Sequence, residues 1–217
     1  MAMAVKVVTL DGDEISEPYL VRIAGWTEER YFREAPETRF CEFEDGEAIV
    51  HSPAKPTHQE GTLFLSILAQ VYVRRRNLGK ILNGPAVIRL RPGLDYEPDI
   101  FFVPLLQLGA IGEQFFSGAP AFIVEVLSEG TRTHDLITKA SAYRRHGVPE
   151  YWVVDPTRRI LLRHLVSQDP QAPYRLTEHA AGRLESLAIP GFWVDVSWLW
   201  QDPLPDPLHC LEQILAA

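Results

Sequence analysis

The feature that most constrains the fold is a strand–turn–helix–turn–strand pattern over residues 121–156. Its first strand, AFIVEVL at 121–127, is apolar except for Glu125. Runs of this kind are typical of central strands that are covered on both faces. An ionised carboxylate there is costly unless it is paired, coordinates a metal ion, or lies at an open end of the strand. The pattern predicts an α/β fold in which Glu125 has a special role.

The helix predicted after this strand, roughly residues 134–145, carries a line of polar side chains. Asp135, Lys139 and Tyr143 are spaced four residues apart, so they lie along one helix face. One interpretation is an exposed Asp–Lys pair, which stabilises a helix by only about 0.2–0.5 kcal/mol. The other is that this face turns Lys139 towards Glu125, and a buried strand at 151–154 then closes the unit.

A second acid precedes another apolar strand, at residues 100–103. Asp99 follows Pro98, which is tolerated at a strand start because its missing N–H need not pair there. Two acids on adjacent strands can share a hard cation, and Mg²⁺ commonly takes one or two carboxylates. Such an ion generates a hydroxide nucleophile near neutral pH, and a nearby ammonium offsets charge on a phosphoryl group. Asp99, Glu125 and Lys139 therefore predict phosphodiester hydrolysis with Mg²⁺ or Mn²⁺.

Two further polar residues lie in elements that precede these strands. Residues 39–51 predict a hairpin around Asp45-Gly46, with Glu42 in its first strand. A solvated strand face is the alternative interpretation of Glu42. Residues 57–79 predict the longest helix, with His58 in its first turn and a buried stripe of apolar residues: Leu63, Ile67 and Val71, with Phe64 and Leu68 beside them. A histidine at that position is also commonly a surface residue.

The length of 217 residues fits a single domain, with residues 1–26 as an N-terminal arm or an added hairpin and 201–217 as a C-terminal tail. The net charge of −8 argues against a protein that coats nucleic acid non-specifically, since such binding depends on Lys and Arg. We find no signal peptide and no apolar run of the roughly 20 residues that a membrane helix needs. With only two cysteines, we expect a cytoplasmic protein.

These motifs together resemble the PD-(D/E)XK nuclease superfamily and, more narrowly, the Uma-two family of restriction-endonuclease-like proteins. The resemblance rests on YEPDIFFV at 96–103, the long block at 119–156, the 39–59 region and a short IPGFWVDVSWLW ending. It covers roughly residues 25–200. The resemblance implies a restriction-endonuclease-like core, with a central mixed β-sheet flanked by helices and extra strands in the C-terminal third.

The resemblance also implies roles for individual residues. Asp99 and Glu125 would be metal ligands, together with the backbone carbonyl of Val126. The superfamily pattern expects a lysine two residues after the second acid, where this chain has Leu127, so Lys139 would supply the ammonium. The supporting residues near the cleft are then Glu42, His58, Asp135 and Tyr143.

Two function classes follow from these observations. The first is a Mg²⁺- or Mn²⁺-dependent endonuclease acting on nucleic acid, with DNA as the expected substrate. Double-strand cleavage needs two active sites, so we expect a homodimer, with the Trp-rich segment at 193–200 as a candidate interface. The second is a non-catalytic module that keeps the nuclease fold and binds nucleic acid or a protein. Two-carboxylate glycoside hydrolysis is disfavoured because it gives Lys139 no role.

Overall fold

The computed structural model describes residues 18–35, 41–167, 169 and 172–216. Residues 1–17 of the predicted arm, residues 39–40 of the predicted hairpin and residue 217 lie outside these ranges. Within them, the helices are α1 (Glu28–Glu34), α2 (Pro56–Arg75), α3 (Ala140–Arg145) and α4 (Pro207–Ala216). Short 3₁₀ helices span Leu105–Ala110 and Val196–Trp200, and a π-helical segment, His134–Lys139, leads directly into α3.

The first described strand lies within residues 1–26, which were predicted as an arm or an added hairpin, and it pairs with the strand at Glu47–His51. The strands of the described ranges are β1 (Leu20–Ala24), β2 (Cys41–Glu44), β3 (Glu47–His51), β4 (Gly79–Asn83), β5 (Val87–Arg91), β6 (Leu94–Tyr96), β7 (Ile100–Pro104), β8 (Phe115–Ser117), β9 (Phe122–Val126), β10 (Glu150–Asp155), β11 (Ile160–Leu165), β12 (Arg175–His179), β13 (Arg183–Glu185) and β14 (Trp193–Asp195).

The described strands form two six-stranded sheets and a small hairpin. The central sheet has the order β12-β11-β10-β9-β7-β4, and only its β9–β10 pair is parallel. The second sheet has the order β1-β3-β2-β6-β5-β8, and β13 pairs with β14. The predicted α/β fold with a mixed central sheet, flanking helices and extra C-terminal strands is therefore confirmed.

The central sheet is covered on both faces, as the apolar β9 predicts. On one face, Phe102 and Trp152 pack in a core with α2 and α4. On the other face, Phe101 and Tyr151 pack in a second core with α3 and the second sheet. Neighbouring residues point to opposite cores because side chains alternate along a strand. This double burial is why polar groups on β9 or its neighbours are enclosed.

The buried face of α2 confirms part of the predicted stripe, which also included Phe64 and Leu68. The helix begins at Pro56 and buries Phe64, Leu68 and Tyr72, whereas Leu63 is 61% exposed. Apolar residues occupy more than one side of this helix, so spacing alone does not identify the side that faces the core. Among the described helices, none is long and apolar enough to cross a membrane.

The Trp-rich segment belongs to the core of this chain. Trp193 and Trp198 are each 8% exposed, and their rings pack at an angle of 37° with centroids 5.4 Å apart. These two rings are therefore not available for a subunit interface, contrary to our expectation. The aromatic density of the segment reflects packing against α2 and α4, where Leu211 and Ile214 join the same cluster.

Candidate active site

The two predicted metal-binding acids lie side by side where β7 and β9 pair. The antiparallel register aligns Ile100 with Val124, which brings Asp99 next to Glu125. The backbone N–H of Asp99 donates to Oε2 of Glu125 at 3.1 Å, and the N–H of Val126 donates to Oδ2 of Asp99 at 2.7 Å. Each carboxylate is thus oriented by the backbone of the neighbouring strand. These two hydrogen bonds hold both carboxylates close to each other.

Lys139 reaches the same place from the π-helical segment. Its Nζ lies 2.9 Å from Oε1 of Glu125, 2.7 Å from Oε1 of Glu42 and 3.4 Å from Oδ1 of Asp135. The side chain is only 4% exposed, so the interpretation of an exposed Asp–Lys pair is wrong. π-Helical turns are rare and occur frequently at functional sites. Here the segment carries both Asp135 and Lys139 into the interior.

Glu42 is fully buried, so the interpretation of a solvated strand face is also wrong. The predicted Asp45-Gly46 turn connects β2 to β3, and both turn residues have positive φ, as tight hairpin turns require. Oε2 of Glu42 lies 2.8 Å from Nε2 of His134, and Oε1 accepts the N–H of Glu97 at 3.0 Å. Because the same Oε1 lies 2.7 Å from Nζ of Lys139, Glu42 also holds the ammonium in place.

The remaining predicted residues contact the two acids directly. Nε2 of His58, in the first turn of α2, lies 3.1 Å from Oδ1 of Asp99. The Tyr143 hydroxyl donates to Oε1 of Glu125 at 3.1 Å. The structure thus brings together every side chain that we predicted for the site.

Three titratable residues of the site were not predicted from the sequence: His51, Glu97 and His134. His134 contacts Glu42, and Glu97 lines the cleft beside Asp99. Glu97 accepts hydrogen bonds from the Tyr31 hydroxyl at 3.3 Å and from the Cys41 N–H at 3.2 Å. The available signal was position: Glu97 precedes Asp99 by two residues, and His134 immediately precedes Asp135.

The electrostatics of the cluster are set by an excess of buried acids over cations. Burial raises the pKa of Glu125 well above its usual value, and the charges of Asp99 and Asp135 add to this effect. Burial opposes the charge of Lys139, but Glu125 and Glu42 outweigh it and raise its pKa. The pKa of Glu42 is lowered, because Lys139 and His134 overcome the cost of its burial. The Lys139 ammonium therefore stabilises the negative charge of Glu42, whereas ionisation of Glu125 remains unfavourable.

His58 responds to the same excess of negative charge. Burial alone would lower the pKa of His58, but its hydrogen bond to Asp99 and the charge of Asp99 raise it. By contrast, burial lowers the pKa of His51, which also lines the cleft. The Asp99 side of the cluster thus attracts positive charge.

The cleft has room for a small ligand between the acids. It holds about 30 Å³ and is lined by both acids, His58, Lys139 and the 51–54 and 128–131 loops. This exceeds the roughly 10–15 Å³ that a water molecule needs. Among the described residues, no group of three His, Cys, Asp or Glu side chains is arranged to hold a metal ion. Two carboxylates with excess negative charge nevertheless match the small side-chain set that Mg²⁺ commonly uses.

Comparisons with known proteins agree with the fold. A crystal structure from Anabaena variabilis, described as that of a "putative nuclease belonging to DUF820", matches with a TM-score of 0.64 and 14% identity. The match covers 78% of this chain and 96% of that one, and at this identity it shows the shared nuclease-like fold alone. The comparison with curated proteins gave no match.

The family model described as "Putative restriction endonuclease" matches residues 28–197, which agrees closely with the extent of the resemblance in the sequence. That range contains β2, β7, β9 and the π-helical segment, and therefore all the residues of the cleft. The chain belongs to the Uma2 family.

Proposed function

We propose that this protein is a metal-dependent endonuclease that hydrolyses phosphodiester bonds of DNA. The observation that carries the proposal is the convergence of Asp99, Glu125 and Lys139 on one cleft, at the contacts described above. Membership in the Uma2 family supports a nuclease, and the chemistry of the cleft supports metal dependence.

Asp99 and Glu125 are the residues that would hold Mg²⁺ or Mn²⁺, with the Val126 carbonyl as a further candidate ligand. The fit rests on charge: burial and neighbouring acids raise the pKa of Glu125, so a cation at its carboxylate would relieve an unfavourable charge. When bound, a divalent ion supplies a low-pKa water as nucleophile and stabilises charge on the phosphoryl oxygens.

Lys139 would act on the phosphoryl group or the attacking water. Glu42 and Asp135 hold its ammonium in place, so it does not depend on Glu125 for its position. A positioned ammonium in a buried site stabilises developing negative charge more strongly than it would in water. Lys139 would thus supply, from the segment after β9, the ammonium that the superfamily pattern supplies from a lysine two residues after the second acid.

Two neighbours keep the acids in position. His58 contacts Asp99, and Tyr143 donates to Glu125, so neither carboxylate can rotate freely. Positioning of this kind matters because catalytic groups contribute through fixed geometry.

The experiment is cleavage of a supercoiled plasmid with Mg²⁺ or Mn²⁺. A circular plasmid has no ends, so its conversion to open or linear forms requires internal cleavage. We expect activity from the wild-type protein, loss on chelation with EDTA, and a loss of about 100-fold or more in Asp99→Asn and Glu125→Gln. Lys139→Gln should also lose activity. The control is Glu212→Gln, which changes an exposed acid on α4.

Activity that survives both carboxylate substitutions would contradict the proposal. A parallel digestion of DNA and RNA oligonucleotides of the same sequence tests the substrate, and preference for RNA would correct that part. Sedimentation of the wild-type protein tests the proposed homodimer, which a monomer at cleavage concentrations would exclude.

A second candidate is a non-catalytic module that binds nucleic acid or protein. The observation that favours it is the enclosure of Lys139 by three carboxylates, which uses its charge within the protein. Calorimetric titration with Mn²⁺ separates the two functions. If the protein is a nuclease, the titration should show heat of Mn²⁺ binding that Asp99→Asn and Glu125→Gln abolish. If it is a non-catalytic module, the wild-type protein should show no heat of Mn²⁺ binding.

A further inference from the structure

A groove of about 240 Å³ lies along α2 and opens on Asp99. We call it the amide groove, and define it by Gln59, Thr62, Ser66, Gln70, Asn83 and Asp99. It lies on the side of α2 that does not face the core. Asp99 lines both the amide groove and the candidate active site, so the two spaces adjoin at this residue.

The lining of the amide groove is uncharged apart from Asp99. Gln59, Thr62, Ser66 and Gln70 follow one another at intervals of three or four residues, so they share one face of α2. With a rise of about 1.5 Å per residue, the two glutamines are roughly 16 Å apart along the helix axis. Both are exposed. The groove therefore offers hydrogen-bonding groups over about three helical turns.

The inner wall of the groove is fixed by hydrogen bonds. The side-chain amide of Asn83 donates to the Ser66 hydroxyl and to the backbone carbonyl of Asp99, the latter at 3.2 Å. The Thr62 hydroxyl oxygen is buried and has no hydrogen-bond partner in the part of the chain that the structure describes. An unpaired buried hydroxyl is costly, so it marks a place where a ligand could supply a partner.

We propose that the amide groove holds the nucleotides next to the scissile phosphodiester through uncharged hydrogen bonds. This inference rests on the proposed nuclease function. A nucleic-acid strand cut beside Asp99 must continue beyond the small cleft, and the groove begins at that residue. Asn and Gln amides bind base edges, and Ser, Thr, Asn and Gln side chains also contact sugars and phosphates.

The apolar residues of the groove fit the same partner. Leu63 is 61% exposed and Ile67 lies one turn further along α2, so both provide surface for the faces of bases. A nucleic-acid strand that is cut beside Asp99 has to pass through the space next to this residue, which is why we favour a strand over a second copy of the chain.

The test is the double variant Gln59→Ala/Gln70→Ala. Both positions are exposed on a helix, and alanine favours helix, so the fold is expected to persist. We expect KM for a DNA oligonucleotide to rise about five- to thirtyfold through the loss of two hydrogen bonds, with kcat within about twofold. Hydrolysis of bis(p-nitrophenyl) phosphate, a diester without neighbouring nucleotides, should not change. Gln213→Ala, an exposed glutamine on α4, is the matched control.

Salt dependence sharpens the result. The removed groups carry no charge, so the ratio of variant to wild-type KM should be the same at low and high salt, unlike the loss of a phosphate-binding lysine. An unchanged KM for the oligonucleotide would overturn the proposal. So would a change in self-association of the double variant, because the face would then be a contact between copies.

Failure of the proposed function gives a different result. If the wild-type protein cleaves neither substrate, fluorescence anisotropy of the same labelled oligonucleotide replaces KM. Weaker binding by the double variant, but not by Gln213→Ala, then supports the groove without the nuclease. Equal binding by all three proteins overturns the groove.

Discussion

Nζ of Lys139 and Oε1 of Glu125 lie 2.9 Å apart, and each side chain is 4% exposed. Buried ion pairs contribute little net stability, but the loss of one partner leaves the other charge uncompensated. In this cluster the acids outnumber the cations, so the two partners are not equivalent. Lys139 forms ion pairs with three acids, Glu42, Glu125 and Asp135.

We therefore expect Lys139→Met to reduce the free energy of unfolding by about 3–5 kcal/mol at neutral pH. The buried acids around position 139 must then take up protons in the folded state. The pH at which the variant has its highest free energy of unfolding should therefore be lower than that of the wild type. Urea denaturation of both proteins between pH 5 and 8 measures this. Equal stability across that range would show that Lys139 does not neutralise the cluster.

Glu97 should make the protein less stable as pH rises. Burial, together with the charge of Glu42, raises its pKa from 4.5 to about 8. Between these values the folded state keeps a proton that the unfolded state has lost, so stability falls with increasing pH. For one proton the slope is about 1.4 kcal/mol per pH unit.

The substitution Glu97→Gln should remove that contribution. The stability of the variant relative to wild type should increase from pH 5 to pH 8, whatever constant difference the lost hydrogen bonds produce. Chemical denaturation at several pH values is the measurement, with Glu212→Gln as a control at an exposed site. A pH-independent difference would mean that Glu97 is ionised throughout.

His58 reports on the charge of Asp99. Its pKa is raised because the hydrogen bond to Asp99 and the charge of Asp99 overcome the effect of burial. Asp99→Asn removes that charge while keeping the shape, so the pKa of His58 should fall below its wild-type value. An NMR titration of the imidazole signals tests this. An unchanged pKa would show that the charge of Asp99 does not raise the pKa of His58.

Metal binding should be linked to protons. Glu125 has a raised pKa, so protons compete with a cation for its carboxylate. We expect the apparent affinity for Mn²⁺ to rise with pH, by up to about tenfold per unit where one proton is released. Calorimetry in buffers of different ionisation enthalpy measures the release. Affinity that does not depend on pH would indicate that Glu125 is not a ligand.

Much of the fold and of the site could be predicted from local patterns. The apolar run around Glu125 predicted a strand covered on both faces, and Asp99 and Lys139 were placed beside it from strand order and helical spacing. The family match then confirmed the resemblance over nearly the expected range. These features depend on residues that are close together in the sequence, so the spacing of polar and apolar residues is enough to predict them.

Other features depend on contacts between distant segments. Glu42 alternates with apolar residues, as a residue on a solvated strand face does, yet β6 and the π-helical segment enclose it. His134 takes part only because Glu42 lies opposite it. The centre of the buried stripe of α2 was also misplaced, at Leu63 and not at Phe64 and Leu68, because the sheet and α4 determine which side of the helix faces the core. The contacts of Glu42 and His134 leave no periodic signal in the sequence, and the periodicity of α2 does not show which of its apolar sides faces the core.

The central claim is that Asp99 and Glu125 hold one divalent cation. Anomalous diffraction from a crystal grown with Mn²⁺ tests it most directly. The account predicts an anomalous peak between the two carboxylates, with Lys139 still held by Glu42 and Asp135. A crystal that shows no peak there at saturating Mn²⁺, with the Glu125–Lys139 contact unchanged, would contradict it.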